Sequence, residues 1–179
     1  MIPLAVLSLA GCGGGSDTDT ANSGTSPPSR VVSTTTLVTT TTDPRDAVKA
    51  AYLAYWAMVD RLSITPDPDD PEIELRVTEP ALSDFRRITL QSKLEGDSAY
   101  LPSAELNAHN VQSVDVDGST ALVRDCFVDG WVSLEGDGSR NEAIVTKRVI
   151  ASMLFVDASW KVRSVETPSK TPGVTSCDG

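Results

Sequence analysis

Apolar residues along the chain fall into three zones with different spacing. An apolar run covers residues 2–10, a stretch rich in Gly, Ser and Thr covers residues 13–43, and from residue 44 the apolar positions become periodic. Such periodicity is the main sign of secondary structure in a single sequence. The pattern therefore predicts a leader, an unstructured tether and one folded domain over residues 44–179.

The first periodic segment predicts a long amphipathic helix from Pro44 to about Ser63. Asp43 before Pro44 is typical of a helix start, because the Asp side chain caps free backbone N–H groups and proline lacks the N–H that would be left unpaired. The apolar residues return every three or four positions, which places them on one face: Ala47, Ala51, Tyr55, Met58, Val59 and Leu62.

A proline-rich polar turn, residues 65–71, separates this helix from two further helical segments. The first, residues 72–77, is short. The second is predicted to run from Thr78 to about Glu95, where Gly96 supplies a left-handed C-cap. The apolar side of this second segment comprises Ala81, Leu82, Phe85, Ile88 and Leu90.

Beyond Leu106 the pattern changes to the alternation of β-strands interrupted by turn residues. Asp117-Gly118 predicts a tight turn, and the tail from Pro168 is predicted to be a loop. Helices followed by antiparallel strands predict an α+β fold, with N-terminal helices packed on a curved sheet of about four strands. The predicted strands cover residues 111–117, 121–128, 143–157 and 160–165, with residues 131–134 extending the second.

The apolar run at the N-terminus ends in Leu9-Ala10-Gly11-Cys12. Leu, two small residues and Cys resemble the lipobox of bacterial lipoproteins. The resemblance implies a signal peptide over residues 1–11 and a lipid on the thiol of Cys12, with the domain held at the extracytoplasmic face of the cell membrane. At least two acyl chains are expected in this family, which is what durable anchoring requires.

The leader lacks one part of a signal peptide, because no Lys or Arg precedes Cys12. We therefore expect the natural start to lie upstream. The alternative is a buried N-terminal strand with an incidental cysteine. The polar filler after Cys12, residues 13–43, favours the lipoprotein interpretation, because a buried strand is not normally followed by such a segment.

The segment 12–43 is predicted to be a disordered tether, because it cannot bury enough apolar surface to offset the entropy of ordering. Thr-rich runs in it, residues 33–36 and 39–42, resemble O-glycosylated stalks. An unmodified linker is the equally weighted alternative.

Charge narrows the range of partners. The sequence contains 25 acidic residues against 15 Lys and Arg, a formal net charge of −10. Such a surface repels nucleic-acid phosphates and anionic lipid headgroups. We therefore expect no nucleic-acid partner, and membrane contact through the lipid alone. No phosphate loop or dinucleotide motif is present, so no cofactor is predicted.

Two cysteines remain after Cys12. Cys126 and Cys177 form an even pair, which outside the cytoplasm predicts a disulfide. Two buried free thiols are the alternative. Two Cys and one His at wide spacing do not make a zinc signature, so no metal site is predicted.

The closing hairpin, with Trp160-Lys161-Val162 after Asp157 and Ser159, resembles the final hairpin of NTF2-like (SnoaL-like, cystatin-like) cone domains. Arg124-Asp125-Cys126, followed by Asp129 and a near-terminal Cys177, resembles small secreted actinobacterial lipoproteins with that fold. The resemblance covers roughly residues 43–167. It implies a cone-shaped domain but does not decide the activity, because this fold carries enzymes and binding modules alike.

In enzymes of this fold a carboxylate or His in the cone acts as general base. Asp125 is the candidate, because it shares strand parity with Val123 and Phe127 and would be raised in pKa by burial. The alternative, which we favour, is an Asp exposed near the strand end or paired with a basic residue: Arg124, Arg148 or Lys147. His109 is expected at the surface.

The helices and sheet are expected to enclose an apolar cavity that holds a small apolar ligand or is simply packed. A non-enzymatic binding or interaction module is the favoured function. The alternatives are an envelope accessory domain docking a lipid-transport complex, and a cone-pocket isomerase or dehydratase with Asp125 as base. The sequence leaves the oligomeric state open. The predicted cavity residues are Trp56, Phe85, Val123, Phe127, Val149 and Met153.

Overall fold

A computed structural model of the chain describes residues 43–177. These residues belong to the second of two units into which the chain divides, residues 40–179. The predicted leader 1–11, Cys12 and most of the predicted tether lie outside the described residues.

Three helices precede the sheets, as the periodicity predicts. They are α1 (Pro44–Ile64), α2 (Glu72–Arg76) and α3 (Ala81–Glu95). The carboxylate of Asp43 accepts a hydrogen bond from the Arg45 backbone N–H at 2.9 Å, so the predicted cap forms. The long α1 is positioned by its own N-cap and by the apolar side chains on one of its faces.

The end of α3 requires glycine at two positions. Gly96 adopts φ +76°, the left-handed conformation of the predicted C-cap. Gly136, in a later loop, lies so close that a Cβ there would stand 1.7 Å from the Glu95 carbonyl oxygen. The loop after the fourth strand therefore packs directly on the C-terminus of α3.

The strands form two antiparallel sheets, one of four strands in the order β2-β3-β6-β7 and one of three in the order β1-β4-β5. A 3-10 helix, Ala104–Asn107, precedes β2. The strands are β1 (Ser98–Tyr100), β2 (His109–Asp117), β3 (Thr120–Asp129), β4 (Val132–Leu134), β5 (Arg140–Asn141), β6 (Val145–Val156) and β7 (Ser159–Pro172).

Two details of the strand prediction are wrong. Residues 132–134 do not extend β3 but form β4 in the smaller sheet, because the chain leaves β3 at Gly130. The tail from Pro168 is not a loop, since β7 continues to Pro172 beside β6. The register between β6 and β7 shifts near Pro168, and a bulge on an edge strand accommodates a proline that has no N–H to donate.

The core lies between α1 and one face of the four-stranded sheet. Side chains from α1, including Val48 and Met58, meet Val123 from β3, Met153 from β6 and Val162 from β7, all at most 1% exposed. The apolar side predicted for α3 is only partly buried, because Ile88 and Leu90 are 54% and 45% exposed. Three partly buried side chains of α3 pack against the core: Ala81, Leu82 and Phe85.

The chain is thus an α+β domain with helices packed on antiparallel sheets, as the sequence predicts, in the arrangement of an NTF2-like fold. No helix among residues 43–177 combines the length and the apolar character needed to cross a bilayer.

Candidate functional site

A buried cluster of polar side chains joins α1 to the sheet. The hydroxyl of Tyr52, from α1, donates to Oδ2 of Asp125, on β3, at 2.9 Å. Nδ1 of His109, at the start of β2, lies 2.6 Å from the same oxygen. The side chain of Asp125 is fully buried and that of His109 is 10% exposed. These three residues are called the polar cluster below.

Two atoms of the polar cluster, Oδ1 of Asp125 and Nε2 of His109, have no hydrogen-bonding partner among the described residues. Burial, and then the nearby charge of Asp125, raise the pKa of the Tyr52 hydroxyl far above its usual value. Tyr52 is therefore a proton donor in hydrogen bonds and not an acid at ordinary pH.

Aromatic rings close the polar cluster off. The imidazole of His109 stacks on Phe127, with ring centroids 4.6 Å apart, and packs on Trp56 at 5.0 Å. Trp56 and Phe127 also contact each other at 5.1 Å. A carboxylate, an imidazole and a phenol can carry out general acid–base chemistry only where a reacting atom can reach them. Here the rings cover them, and the cluster fastens α1 to β2 and β3.

A cavity of about 440 Å³ lies on the other side of these rings. It opens between α1, the 3-10 helix and the β3–β6–β7 end of the larger sheet. None of Tyr52, His109 and Asp125 lines it. We call it the aromatic cavity, after its lining rings Trp56, Phe127 and Trp131.

Two pairs of charged or polar side chains line the aromatic cavity. Asn107 Nδ2 donates to Asp60 Oδ2 at 2.7 Å. The ammonium of Lys147 pairs with the carboxylate of Asp129 and stands 5.6 Å from the centre of the Phe127 ring. Burial raises the pKa of Asp60, while the Asn107 hydrogen bond and the charge of His109 act in the opposite direction. The lining therefore offers pre-positioned donors and acceptors beside flat apolar surfaces.

The structure does not bring the six predicted cavity residues together. Trp56 and Phe127 line the aromatic cavity. Val123 and Met153 are fully enclosed in the core, and Val149 is 2% exposed on β6, opposite Asp125. Phe85 instead lines an adjoining groove of about 280 Å³ between α1, α3 and β4. Strand parity correctly assigns the inward face, but it cannot tell which inward residues border empty space.

Both interpretations favoured for the polar residues are wrong. Asp125 is inward and buried, and its partners are Tyr52 and His109 instead of Arg124, Arg148 or Lys147. Arg124 and Lys147 bind Asp115 and Asp129. His109 is not at the surface, because the two rings beside it cover its imidazole. The partners of Asp125 come from α1 and from β2. The charged residues near Asp125 on β3 therefore do not predict them.

Sequence reasoning also missed Asp60, Asn107 and Trp131 as cavity residues. Asp60 is a polar position beside the apolar stripe of α1, which was the one available signal. Asn107 ends the 3-10 helix and Trp131 lies between β3 and β4, and the course of both segments depends on tertiary packing. Their positions could not be read from periodicity.

The predicted disulfide is present. Cys126 and Cys177 are at bonding distance, with Cα atoms 5.9 Å apart and 51 positions apart in sequence. Gln112 on β2 donates from Nε2 to the carbonyl of Cys177 at 2.8 Å. The tail is therefore held both to β3 and to β2. Within residues 43–177 no three His, Cys, Asp or Glu side chains are grouped to hold a metal ion.

No family model and no curated protein matches the sequence. The fold is similar to a solved structure described as the crystal structure of the intermembrane space region of the chloroplast protein ARC6. The similarity has a TM-score of 0.54 and 16% identity, over 68% of this chain and 95% of that chain. At this identity the likeness shows the fold alone.

Proposed function

We propose that the protein is a lipid-anchored extracytoplasmic binding module, without catalytic activity, whose ligand occupies the aromatic cavity. The observation that carries this proposal is the aromatic cavity itself. It has the size of small-molecule sites, an aromatic floor and polar groups fixed around it, while the acid–base residues nearby are covered by Trp56 and Phe127.

The anchor is supported by the lipobox at Cys12 and by the Cys126–Cys177 pair, since disulfides persist in oxidising compartments. Replacing Cys12 by Ser in the full chain, expressed in a bacterium, should move the protein out of the membrane fraction and remove the lipid from its mass. Cys177→Ser is the matched control and should leave the protein in membranes. A Cys12→Ser protein that stays in the membrane fraction contradicts the anchor.

Binding is tested by native mass spectrometry of the full-length protein extracted gently from membranes. An added mass that disappears on denaturation supports the proposal. Ala143→Trp should abolish it, because Ala143 lies in the lining of the aromatic cavity. Ala57→Trp, an exposed position on α1, is the control. An adduct that survives in Ala143→Trp places the ligand elsewhere.

An accessory domain docking a lipid-transport complex of the envelope is the second candidate. It is favoured by Ile88, Leu90 and Leu94 on α3, which are 54%, 45% and 78% exposed, beside the Phe85 groove. Leu94→Glu should then abolish cross-linking to an envelope protein in intact cells while leaving the melting temperature unchanged. An isomerase or dehydratase with Asp125 as base is less well supported, because Asp125 is paired and enclosed.

A further inference from the structure

We infer that the ligand of the aromatic cavity is a small neutral saccharide, bound with one face of its ring on the aromatic floor and its hydroxyls on the paired polar groups. The inference rests on the proposed function, since it names the ligand class of the same cavity. It replaces the small apolar ligand that the sequence suggests.

The aromatic floor provides the first half of the argument. Trp56 and Trp131 are half-buried, so each keeps part of its side chain accessible, and Phe127 on β3 packs on Trp56 with ring centroids 5.1 Å apart. A pyranose ring has a face made of C–H groups, which packs on an aromatic ring through apolar contact and weak C–H hydrogen bonds. Flat rings at the floor of a cavity suit such a face.

The polar groups provide the second half. The Asp60 carboxylate accepts from Asn107, and the Asp129 carboxylate accepts from Lys147 and from the Trp131 backbone N–H, which leaves further acceptor positions on both. The remaining lone pairs can accept from a hydroxyl, while the amide and ammonium N–H groups can donate to its neighbour. A hydroxyl both donates and accepts, so adjacent hydroxyls match adjacent donor–acceptor pairs.

The balance of charge argues for a neutral ligand. Two carboxylates, Asp60 and Asp129, and two ammonium groups, Lys147 and Lys170, line the aromatic cavity. Lys147 and Lys170 face each other across β6 and β7. A ligand with one net charge therefore meets both signs. An organic cation would also find the Phe127 ring already approached by the Lys147 ammonium.

The same side chains argue against a wholly apolar ligand. An alkyl chain in the aromatic cavity would take water away from the Asp60–Asn107 and Asp129–Lys147 pairs without replacing its hydrogen bonds, which is unfavourable for each group. Hydroxyl groups replace those bonds directly.

Titration of the full-length protein in detergent tests the inference, with tryptophan fluorescence and calorimetry as readouts. The probes are glucose, galactose, mannose, maltose and trehalose, compared with decanoate and choline. At least one saccharide should bind. Trp131→Ala should weaken that binding about tenfold, the loss expected for an aromatic contact of about 1.4 kcal/mol.

The control is Phe155→Ala, which truncates a half-exposed aromatic ring on β6 outside the aromatic cavity and should leave the affinity unchanged. Equal weakening in both variants, or no saccharide binding at all, overturns the inference. If decanoate or choline binds instead, and Trp131→Ala weakens that binding, the saccharide inference is wrong but the proposed function stands. If no probe binds and native mass spectrometry shows a bare chain, both fail.

Discussion

The same face of the four-stranded sheet is used in two different ways along its length. At one end Val123, Met153 and Val162, all fully buried, meet α1 in an apolar core. At the other end the sheet carries the polar cluster, and beyond it the aromatic cavity. The side chains named at the first end are wholly apolar, whereas the polar cluster at the second end keeps Oδ1 of Asp125 and Nε2 of His109 buried and unpaired among the described residues.

This difference indicates where stability and function reside. Native interiors pair nearly all buried polar groups, so unpaired ones mark positions kept for a reason other than packing. The apolar end supplies the free energy of folding. The polar end is held by that core and is free to present a cavity.

The largest effect is expected from Asp125→Ala. It leaves the Tyr52 hydroxyl and the His109 imidazole buried without their shared partner, which should lower the free energy of unfolding by about 3–5 kcal/mol. The urea midpoint measures this. Arg124→Ala, on the same strand, removes exposed contacts with Asp115 and Ser113 and should change stability by less than about 1 kcal/mol. Similar losses in both variants would mean that burial of the carboxylate is unimportant.

Met153→Ala tests the apolar end. Removing a fully buried side chain should cost about 3 kcal/mol, from lost burial and from the space left behind. Ligand affinity, in contrast, should be unchanged, because Met153 does not line the aromatic cavity. A change in affinity that exceeds the effect on stability would show that the two ends are coupled.

Replacing all three residues of the polar cluster should destabilise the protein less than removing the Asp125 carboxylate alone. Tyr52→Phe, His109→Phe and Asp125→Leu together remove all three polar groups, and buried pairs exchanged for apolar side chains are often neutral or stabilising. The triple variant should therefore unfold at a higher urea concentration than Asp125→Ala. If the triple variant is less stable than Asp125→Ala, the hydrogen bonds of the polar cluster contribute more to the free energy of unfolding than the new apolar contacts do.

The smallest effect concerns Asp60, whose pKa is raised by burial in the folded protein. A carboxyl group with a raised folded pKa binds its proton more tightly when folded, so its contribution to stability grows as the pH falls through that pKa and is complete below the unfolded value. Asp60→Asn should lack this gain. As the pH is lowered from neutral to acidic, the free energy of unfolding of the wild type should increase relative to that of Asp60→Asn. Parallel pH profiles would contradict the shift.

Sequence reasoning reached the elements of this fold because their signals are local. The cap at Asp43, the left-handed Gly96 and the turn at Asp117-Gly118 each depend on neighbours in the chain. It failed where partners come from afar. The continuation of β7 past Pro168 depends on backbone pairing with β6, which no side-chain pattern records.

The same distinction applies to the candidate site. The inward direction of Asp125 follows from strand parity, and the Cys126–Cys177 pair follows from counting cysteines. That Asp125 would meet Tyr52, 73 positions earlier, follows from neither. Nor does parity say that Val149 is enclosed while Phe127 borders open space, because that depends on how far α1 reaches along the sheet.

The covalent link between β3 and the tail has a consequence for survival among proteases. The exposed loop of residues 135–139 and the exposed strand segment of residues 166–172 both lie between Cys126 and Cys177. A single cut at either place opens the backbone but leaves both fragments joined through sulfur. A nicked domain would thus keep its strands together until it is reduced, and on a gel it would separate into two bands only in the presence of a thiol.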